Sequence, residues 1–205
     1  MEKDLSAKEK IQLAVQTYNK FSKIYADYTS SKIMQFQLNN FISLLPEKGK
    51  ILDAGSGAGR DSAYFKDEGF DVVSVDFSDG MIEEAKKLDV KTVKGNLLEM
   101  SSNQEFVGIW CMASLADIPK SEAPKLIKNF ANALKKDGVL YIAVKKGDGE
   151  EIIEKERYDN TPRFYAFYQK KELNDLLVAN GFIILESTES NDEENDWVEV
   201  FAKKA

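Results

Sequence analysis

A turn with three glycines at alternate positions constrains this fold more than any other feature of the sequence. The stretch ILDAGSGAGRDSAYF, residues 51–65, places Gly55, Gly57 and Gly59 between a short apolar run and a helical pattern that begins near Arg60. A strand-to-helix turn of this kind on the first strand of a parallel sheet exposes backbone amides beside a helix N-terminus. Ligands with negatively charged groups bind there, and glycine lets the backbone approach them closely.

Strands and helices alternate from about residue 50 to residue 181. This alternation predicts an α/β fold with a Rossmann-like, doubly wound and mostly parallel sheet, which we expect to have seven strands. Ser78 and Ser121 are predicted to cap two of the helices, and Gly138 is predicted to end the second of them. The last two apolar runs have no helix between them, so they predict an antiparallel C-terminal hairpin through the acidic segment NDEEND.

Two helices are predicted before the sheet. Apolar residues recur at helical spacing over residues 5–20 and 23–45, and Pro46 and Gly49 end the pattern. We interpret residues 1–48 as an N-terminal helical cap over the active edge of the sheet.

The polar segment 147–162 predicts a long loop, and we interpret residues 147–168 as a substrate lid. We find no repeat, low-complexity tract or linker that would divide the chain. Residues 1–205 are therefore predicted to form a single domain.

Composition excludes several classes of function. The chain has 205 residues, no histidine and a single cysteine, Cys111. Catalysis by Ser-His-Asp or Cys-His groups is therefore excluded, an intrachain disulfide is impossible, and no metal site is expected. Cys111 lies in an apolar run, so we expect it to be a small buried residue.

Charge and hydropathy narrow the set of partners. The formal net charge is −7, and no basic stretch is long enough to follow a phosphate backbone, so DNA is not an expected partner. No apolar run approaches the roughly 20 residues of a membrane span, and the charged N-terminus lacks a signal core. We therefore expect a cytoplasmic protein with no membrane partner. The sequence carries no interface signature, and the oligomeric state stays open.

The spacing of the glycines argues against a dinucleotide. The dinucleotide fingerprint G-x-G-x-x-G requires a third glycine at position 60 or 62, depending on the frame, but these positions hold Arg60 and Ser62. The observed pattern is D-x-G-x-G-x-G. A nicotinamide-dependent oxidoreductase is therefore disfavoured.

The sequence resembles the class I S-adenosylmethionine (SAM)-dependent methyltransferases. ILDAGSGAGRDSAYF looks like the first motif of that family, DVVSVDFS like the second and GNLLEM like the third. Within the family, GRDSAYF, IWCMASLADIP and RFYAFYQKKEL look most like bacterial small-molecule methyltransferases of the tellurite-resistance type. The third motif departs from the family pattern, because Asn96 stands where an aspartate is usual.

The resemblance implies that SAM is the cofactor and S-adenosylhomocysteine the product. It implies that Asp53 and the loop amides surround the amino-acid end, that Asp76 accepts from both ribose hydroxyls, and that Phe77 and Met81 flank the adenine. Asn96 would offer a carbonyl oxygen to the adenine amino group. The implied cofactor-binding residues are Tyr25, Asp53, Gly55, Ser56, Gly57, Gly59, Arg60, Asp76, Phe77, Met81, Asn96, Leu97 and Met112.

A methyl acceptor is expected beside the end of the fourth predicted strand. Asp117 follows that strand, and we predict it to be a catalytic base or a group that orients an amine. Tyr18, Arg163, Tyr165 and Tyr168 are predicted to contact the acceptor. The leading hypothesis is methyl transfer to a small molecule.

Plainer interpretations stay open. Asp117 is equally explained as a helix cap, Tyr18 and Tyr25 as packing residues, Arg60 as a surface residue and Asn96 as an ordinary loop residue. A SAM-fold protein that binds or regulates without catalysis is one alternative function. Methylation of a protein or a tRNA is another.

Overall fold

The computed structural model describes residues 5–46, 48–192 and 194–205. Parts of three predictions lie outside these residues: the start of the helical cap at residues 1–4, the end of the cap at residue 47, and residue 193 of the acidic hairpin turn. Within the described chain no helix is both long enough and apolar enough to cross a membrane.

The predicted α/β fold is confirmed. Seven strands form one sheet in the order β3-β2-β1-β4-β5-β9-β8, in which β9 alone is antiparallel to its neighbours β5 and β8. The strands are β1 (Lys50–Ala54), β2 (Asp71–Asp76), β3 (Thr92–Lys94), β4 (Phe106–Met112), β5 (Leu134–Lys145), β6 (Glu150–Ile153), β7 (Arg163–Ala166), β8 (Phe182–Asn191) and β9 (Asp196–Lys204). The helices are α1 (Ala7–Lys20), α2 (Ser22–Ser30), α3 (Gln35–Ser43), α4 (Arg60–Asp67), α5 (Asp79–Lys86), α6 (Ala123–Ala133) and α7 (Lys170–Ala179).

The core lies on both faces of the sheet, because its central strands are apolar at nearly every position. In β5, Leu140 and Ile142 face one side with α6 and α7, whereas Tyr141 faces the other side with α3 and α4. Trp110 of β4 stacks on Tyr141 with ring centroids 4.0 Å apart. Such continuous apolar strands are expected where helices cover both faces of a parallel sheet.

The N-terminal region forms three helices, so the prediction of one continuous helix over residues 23–45 is wrong. α2 ends at Ser30, and α3 begins at Gln35. The break has a physical cause, since Arg60 Nη1 donates to the carbonyl oxygens of Thr29 (3.1 Å) and Lys32 (2.7 Å). These carbonyls at the end of α2 thereby gain the partners that a helix terminus lacks.

The capping predictions had mixed outcomes. Ser78 caps α5, because its Oγ accepts from Met81 N at 3.2 Å. The prediction for Ser121 is wrong, because α6 begins at Ala123, whose N–H donates to Pro119 O without any side-chain cap.

The end of α6 also lies earlier than predicted. The chain enters β5 at Leu134, which pairs with Phe106 of β4 and is fully buried. The helix therefore stops well before Gly138, and Gly138 lies within the strand.

The segment predicted as a polar loop contains a strand. β6 pairs antiparallel with β7 in a separate two-stranded sheet. α1 packs on this hairpin, and Lys10 of α1 lies 2.8 Å from Glu150 and 5.5 Å from the centre of the Phe164 ring. The β6–β7 hairpin and α1 thus form one unit above the carboxyl ends of the parallel strands.

Candidate active site

The glycine loop joins β1 to α4 and has a left-handed backbone at all three glycines. The φ angles are +77° at Gly55, +54° at Gly57 and +83° at Gly59. A Cβ atom on Gly55 would lie 2.6 Å from Ser114 Cβ, whereas one on Gly57 would have no neighbour closer than 3.9 Å. Gly55 is therefore required for packing as well as for conformation, and Gly57 leaves open space above the loop.

Asp76 ends β2 and fixes the loop from its other side. Its carboxylate accepts from Gly57 N and from Ser78 N, each at 2.8 Å. Burial raises the pKa of Asp76, and the bonds from the two backbone amides oppose that shift. Each carboxylate oxygen accepts one of these bonds and retains capacity for another, so Asp76 can still accept from a ligand.

Asp53 of β1 is buried, although it contributes to the wall of the larger cavity. It is 3% exposed and accepts from Ser62 Oγ at 2.5 Å. Burial first, and the neighbouring Asp61 second, raise the pKa of Asp53 to about 7. Asp61 is itself held by Arg60 and by Trp110 Nε1, which donates at 2.9 Å.

Two cavities meet at the loop. A smaller cavity of about 100 Å³ and a larger one of about 680 Å³ share walls formed by Tyr25, Gly55, Gly57, Met112 and Ala113. The larger one extends beneath α2, the segment after β6, and the turn between β8 and β9. The site therefore has two compartments joined above the glycine loop.

Most of the predicted cofactor-binding residues line one or both cavities. Asp76, Phe77, Met81, Asn96 and Leu97 line the smaller one, and Asp53, Ser56 and Arg60 line the larger one. Gly59 lines neither cavity; a Cβ atom there would lie 3.1 Å from those of Ala85 and Val90, so it is a packing position.

Asn96 and Arg60 already have partners within the protein. Asn96 Oδ1 accepts from Leu98 N at 3.0 Å, and its Nδ2 donates to Glu99 at 3.1 Å. Arg60 forms a two-pronged pair with Asp61 in addition to its bonds to the end of α2. Both side chains therefore have evident structural roles.

Tyr18, Asp117 and Arg163 form one hydrogen-bonded cluster, in which Arg163 is buried and the other two are half-buried. Asp117 accepts from Tyr18 OH at 3.0 Å and from Arg163 Nη2 at 2.7 Å, and Arg163 also donates to Tyr18 OH. The Tyr18 ring lies edge-on to Tyr25, with centroids 5.0 Å apart. Burial raises the pKa of Tyr18 well above its usual value, which keeps the phenol protonated as a donor. The cluster connects α1, the turn after β4 and β7.

The other two residues predicted to contact the methyl acceptor, Tyr165 and Tyr168, lie in different places. Tyr165 lines the larger cavity together with Arg163. Tyr168 lines neither cavity; it is 1% exposed, with Lys120 Nζ 4.7 Å from its ring centre. Tyr168 therefore does not line the site.

Cys111 is fully buried, as predicted, and burial raises the pKa of its thiol to about 12.

Sequence reasoning missed several wall residues. Ile11, Ala14 and Val15 of α1 line the smaller cavity beside Tyr18. Their spacing of three and four residues places them on one helix face, and that pattern is the signal for them. Lys145 and Lys155 of the larger cavity were also missed, and they carry no motif.

Comparison with known proteins places the chain in a family. A family model described as a methyltransferase domain matches residues 25–187. The chain belongs to this methyltransferase-domain family. The predicted family resemblance is thereby confirmed. The match begins at Tyr25, so α1, which forms one wall of the smaller cavity, lies outside it.

Individual methyltransferases are similar to the chain at low identity. An uncharacterized methyltransferase of Staphylococcus carnosus is 29% identical over 132 residues, which cover 63% of this chain and 59% of that protein. The chain thus matches less than two thirds of its relative's length.

Solved structures show the same fold. The 1,6-didemethyltoxoflavin-N1-methyltransferase of Burkholderia thailandensis, solved with 1,6-didemethyltoxoflavin and S-adenosylhomocysteine, has a TM-score of 0.81 and 21% identity, covering 100% of this chain and 93% of its own. A TehB-like SAM-dependent methyltransferase of Corynebacterium glutamicum has a TM-score of 0.69 and 20% identity, covering 90% and 98%.

Proposed function

We propose that this protein is a SAM-dependent methyltransferase that acts on a small molecule. The observation that carries the proposal is the pair of cavities joined above the glycine loop. Residues of the second and third family motifs line the smaller compartment, and residues of the first motif line the larger one, which lies beneath the lid elements. Such a concave site of several hundred Å³ suits a small acceptor better than the surface of a macromolecule.

The residues of the smaller cavity fit the nucleoside part of the cofactor. Asp76 has acceptor capacity for two hydroxyl groups, and Phe77, Met81 and Leu97 supply apolar surface. Asn96 would contribute the free lone pair of its carbonyl oxygen, since the other accepts from Leu98 N.

The loop itself fits the amino-acid part. Ser56 Oγ is buried without a hydrogen-bond partner and lines the larger cavity, so it is available to a polar ligand group. Gly57 leaves the space above the loop open. Tyr25 and Met112 line both compartments and would close the site around the point where they meet.

Methyl transfer requires little from the protein beyond positioning of the acceptor against the cofactor. The bound cofactor supplies an activated methyl group, so the chain has mainly to align the acceptor and exclude water. The sequence predicts Asp117 as a base, but donors from Tyr18 and Arg163 occupy both its oxygens. We assign it a positioning role, in which it holds Tyr18 and Arg163 against the two compartments.

The lid prediction is retained as part of this proposal. Lys155, Arg157 and Tyr158 from the segment after β6 line the larger cavity. Arg157 stacks on Tyr28 of α2, 3.6 Å from the ring centre, and pairs with Glu194 at 2.7 Å. These contacts join three elements around the cavity, and we propose that they separate when the acceptor enters.

Methyl transfer from labelled SAM tests the substrate class. The purified chain would be incubated with fractions of small molecules, proteins and tRNA, and the label followed into each. We expect label in the small-molecule fraction. Label in protein or tRNA alone would contradict the proposed acceptor class, and cofactor binding without transfer to any fraction would favour the non-catalytic alternative.

A further inference from the structure

Three lysines line the larger cavity, and none of them forms an ion pair among the described residues. Lys32 donates to the Tyr28 hydroxyl at 2.7 Å, so Lys145 and Lys155 are the pair considered below. Lys145 ends β5, and Lys155 follows β6. The acidic side chains that line the cavity are already engaged within the protein. They are Asp53 with Ser62, Asp61 with Arg60, Asp192 with the N–H groups of Glu194 and Asn195, Glu194 with Arg157, and Glu199 with Tyr141 and Ser190.

The two lysines converge on one aromatic ring. Lys145 Nζ lies 4.9 Å from the centre of the Tyr165 ring, and Lys155 Nζ lies 5.8 Å from it. Burial first, and the Lys155 charge second, lower the pKa of Lys145 to about 8. Two like charges held together in a partly buried cavity are unfavourable, and a bound anion would relieve that cost.

The position of Lys145 places the pair away from the part of the site proposed for the nucleoside. Ala143, two residues earlier in β5, pairs with Met112, which lines both compartments. Lys145 and Lys155 line the larger compartment only, away from Asp76. The amino-acid end of the cofactor is expected at Ser56, which also lines the larger compartment, so cofactor affinity is measured below as a separate readout.

We propose that Lys145 and Lys155 bind an anionic group of the methyl acceptor, a carboxylate or a phosphate. The inference rests on the proposed function, because it names the acceptor class of the same site. Tyr165 forms the floor beneath the anion, and the acceptor is an organic acid rather than a neutral molecule.

Matched probe pairs test this without knowledge of the natural acceptor. Benzoate with benzamide, and phenyl phosphate with phenol, differ within each pair mainly in charge. The full chain, labelled with ¹³C at lysine Cε, would be titrated at pH 7 with each compound, and the lysine signals would be assigned from Lys145→Arg and Lys155→Arg spectra. We expect the anions, and not their neutral partners, to move the Lys145 and Lys155 signals. Comparing the two anions distinguishes carboxylate from phosphate.

Substitution supplies the control. Lys145→Met and Lys155→Met should each weaken anion binding by about tenfold, since each removes one charged donor. Lys146→Met is the matched control, because this neighbour is paired with Glu189 at 2.6 Å outside the cavity and should leave anion binding unchanged. Equal binding of the neutral compounds, no anion binding to the wild type, or wild-type affinity in both cavity variants would each overturn the proposal.

The affinity for S-adenosylhomocysteine tests separately whether the lysines bind the cofactor and not the acceptor. S-adenosylhomocysteine affinity should be the same in Lys145→Met as in the wild type. A tenfold loss there would assign the lysines to the cofactor carboxylate and overturn the acceptor site. Failure of the wild type to bind S-adenosylhomocysteine would instead refute the proposed function, whereas the anion titration needs no cofactor.

The pH dependence of anion binding follows from the lysine pair. The charged and titratable groups that face Lys145 are Lys155, Arg163, Tyr165 and, more weakly, Asp117. Because Lys145 loses its proton near pH 8 in the free protein, anion affinity should fall as pH rises from 7 to 9, by up to about tenfold. A pH-independent affinity over this range would place the anion elsewhere.

Discussion

The three loop glycines are required for different reasons. All three have positive φ, which costs other residues free energy, but their surroundings differ. Gly55 faces Ser114, Gly59 faces Ala85 and Val90, and Gly57 faces open space. Only at Gly57 would an added Cβ lie in open space.

Gly55→Ala should be much more destabilising than an alanine at a matched glycine. Gly69 has φ of +88° and no atom within 4 Å of the place where a Cβ would lie, so Gly69→Ala carries only the backbone cost of about 1 kcal/mol. Gly55→Ala adds displacement of Ser114, for a total of about 3 kcal/mol. Urea unfolding of both variants measures the difference. Equal losses of stability in the two variants would show that Ser114 moves aside at little cost in free energy.

The packing partners of the loop could not be predicted from sequence. The glycine spacing and the aspartate at the end of β2 are local signals, and the structure has the loop between β1 and α4 and Asp76 at the end of β2, as they predict. Asp117 and Arg163 are 46 residues apart in the chain, so their pairing depends on how the β6–β7 hairpin packs. Tyr168 follows the same aromatic segment as Tyr165, yet lies outside the site because the chain leaves β7 before reaching it.

At the level of elements, polar contacts attach α1 and the β6–β7 hairpin to the turn after β4 and to the start of α5. Arg163 is 6% exposed, and its guanidinium lies between Asp117 and the Tyr18 ring, 4.3 Å from the ring centre. A second contact is made by Asn19 of α1, which accepts from Ser78 Oγ at 2.8 Å. Together these contacts hold the roof of the smaller cavity.

Arg163→Met should loosen this roof. Removing the arginine leaves the Asp117 carboxylate without its ionic partner, which costs about 3–5 kcal/mol at a buried site. Hydrogen exchange should accelerate in α1 and in residues 150–166, with the central strands less affected. Arg157→Met is the control, because its pair with Glu194 is partly exposed and should cost about 1 kcal/mol or less. Similar exchange in both variants would contradict the assigned role of Arg163.

Element boundaries were predictable where local signals act alone. Ser78 caps α5 as its sequence indicates, since the cap forms within three residues. The break between α2 and α3 depends on Arg60, which comes from another element, and the early start of β5 depends on pairing of Leu134 with Phe106. Neither contact leaves a signal in its own segment.

For the whole molecule, the buried acidic group of Asp53 in β1 links stability to pH. The pKa of Asp53 is raised from its ordinary value to about 7, so the native state retains a proton that the unfolded chain has released. The contribution of this group to stability is therefore most favourable at low pH. It falls as pH rises from about 4 to about 7 and stays low above that range.

Asp53→Asn should remove the pH-dependent contribution of this carboxyl group to stability. Relative to the wild type, the variant should gain stability as pH rises from 4 to 8, by at most about 4 kcal/mol. Unfolding of both proteins at several pH values measures the difference. A constant difference between them would show that Asp53 has an ordinary pKa in the folded state.

The account as a whole depends on the glycine loop and Asp76 forming a cofactor site. Calorimetric titration with SAM and S-adenosylhomocysteine, run beside NAD, tests this most directly, using the wild type, Asp76→Ala and Asp79→Ala. Asp79 is the matched control, since its carboxylate pairs with Lys94 at 2.7 Å and lines neither cavity. We predict that the wild type and Asp79→Ala bind both sulfur nucleosides and not NAD, and that Asp76→Ala binds at least about tenfold more weakly. A folded wild-type protein that binds neither nucleoside, or that binds them equally well without Asp76, would contradict the account.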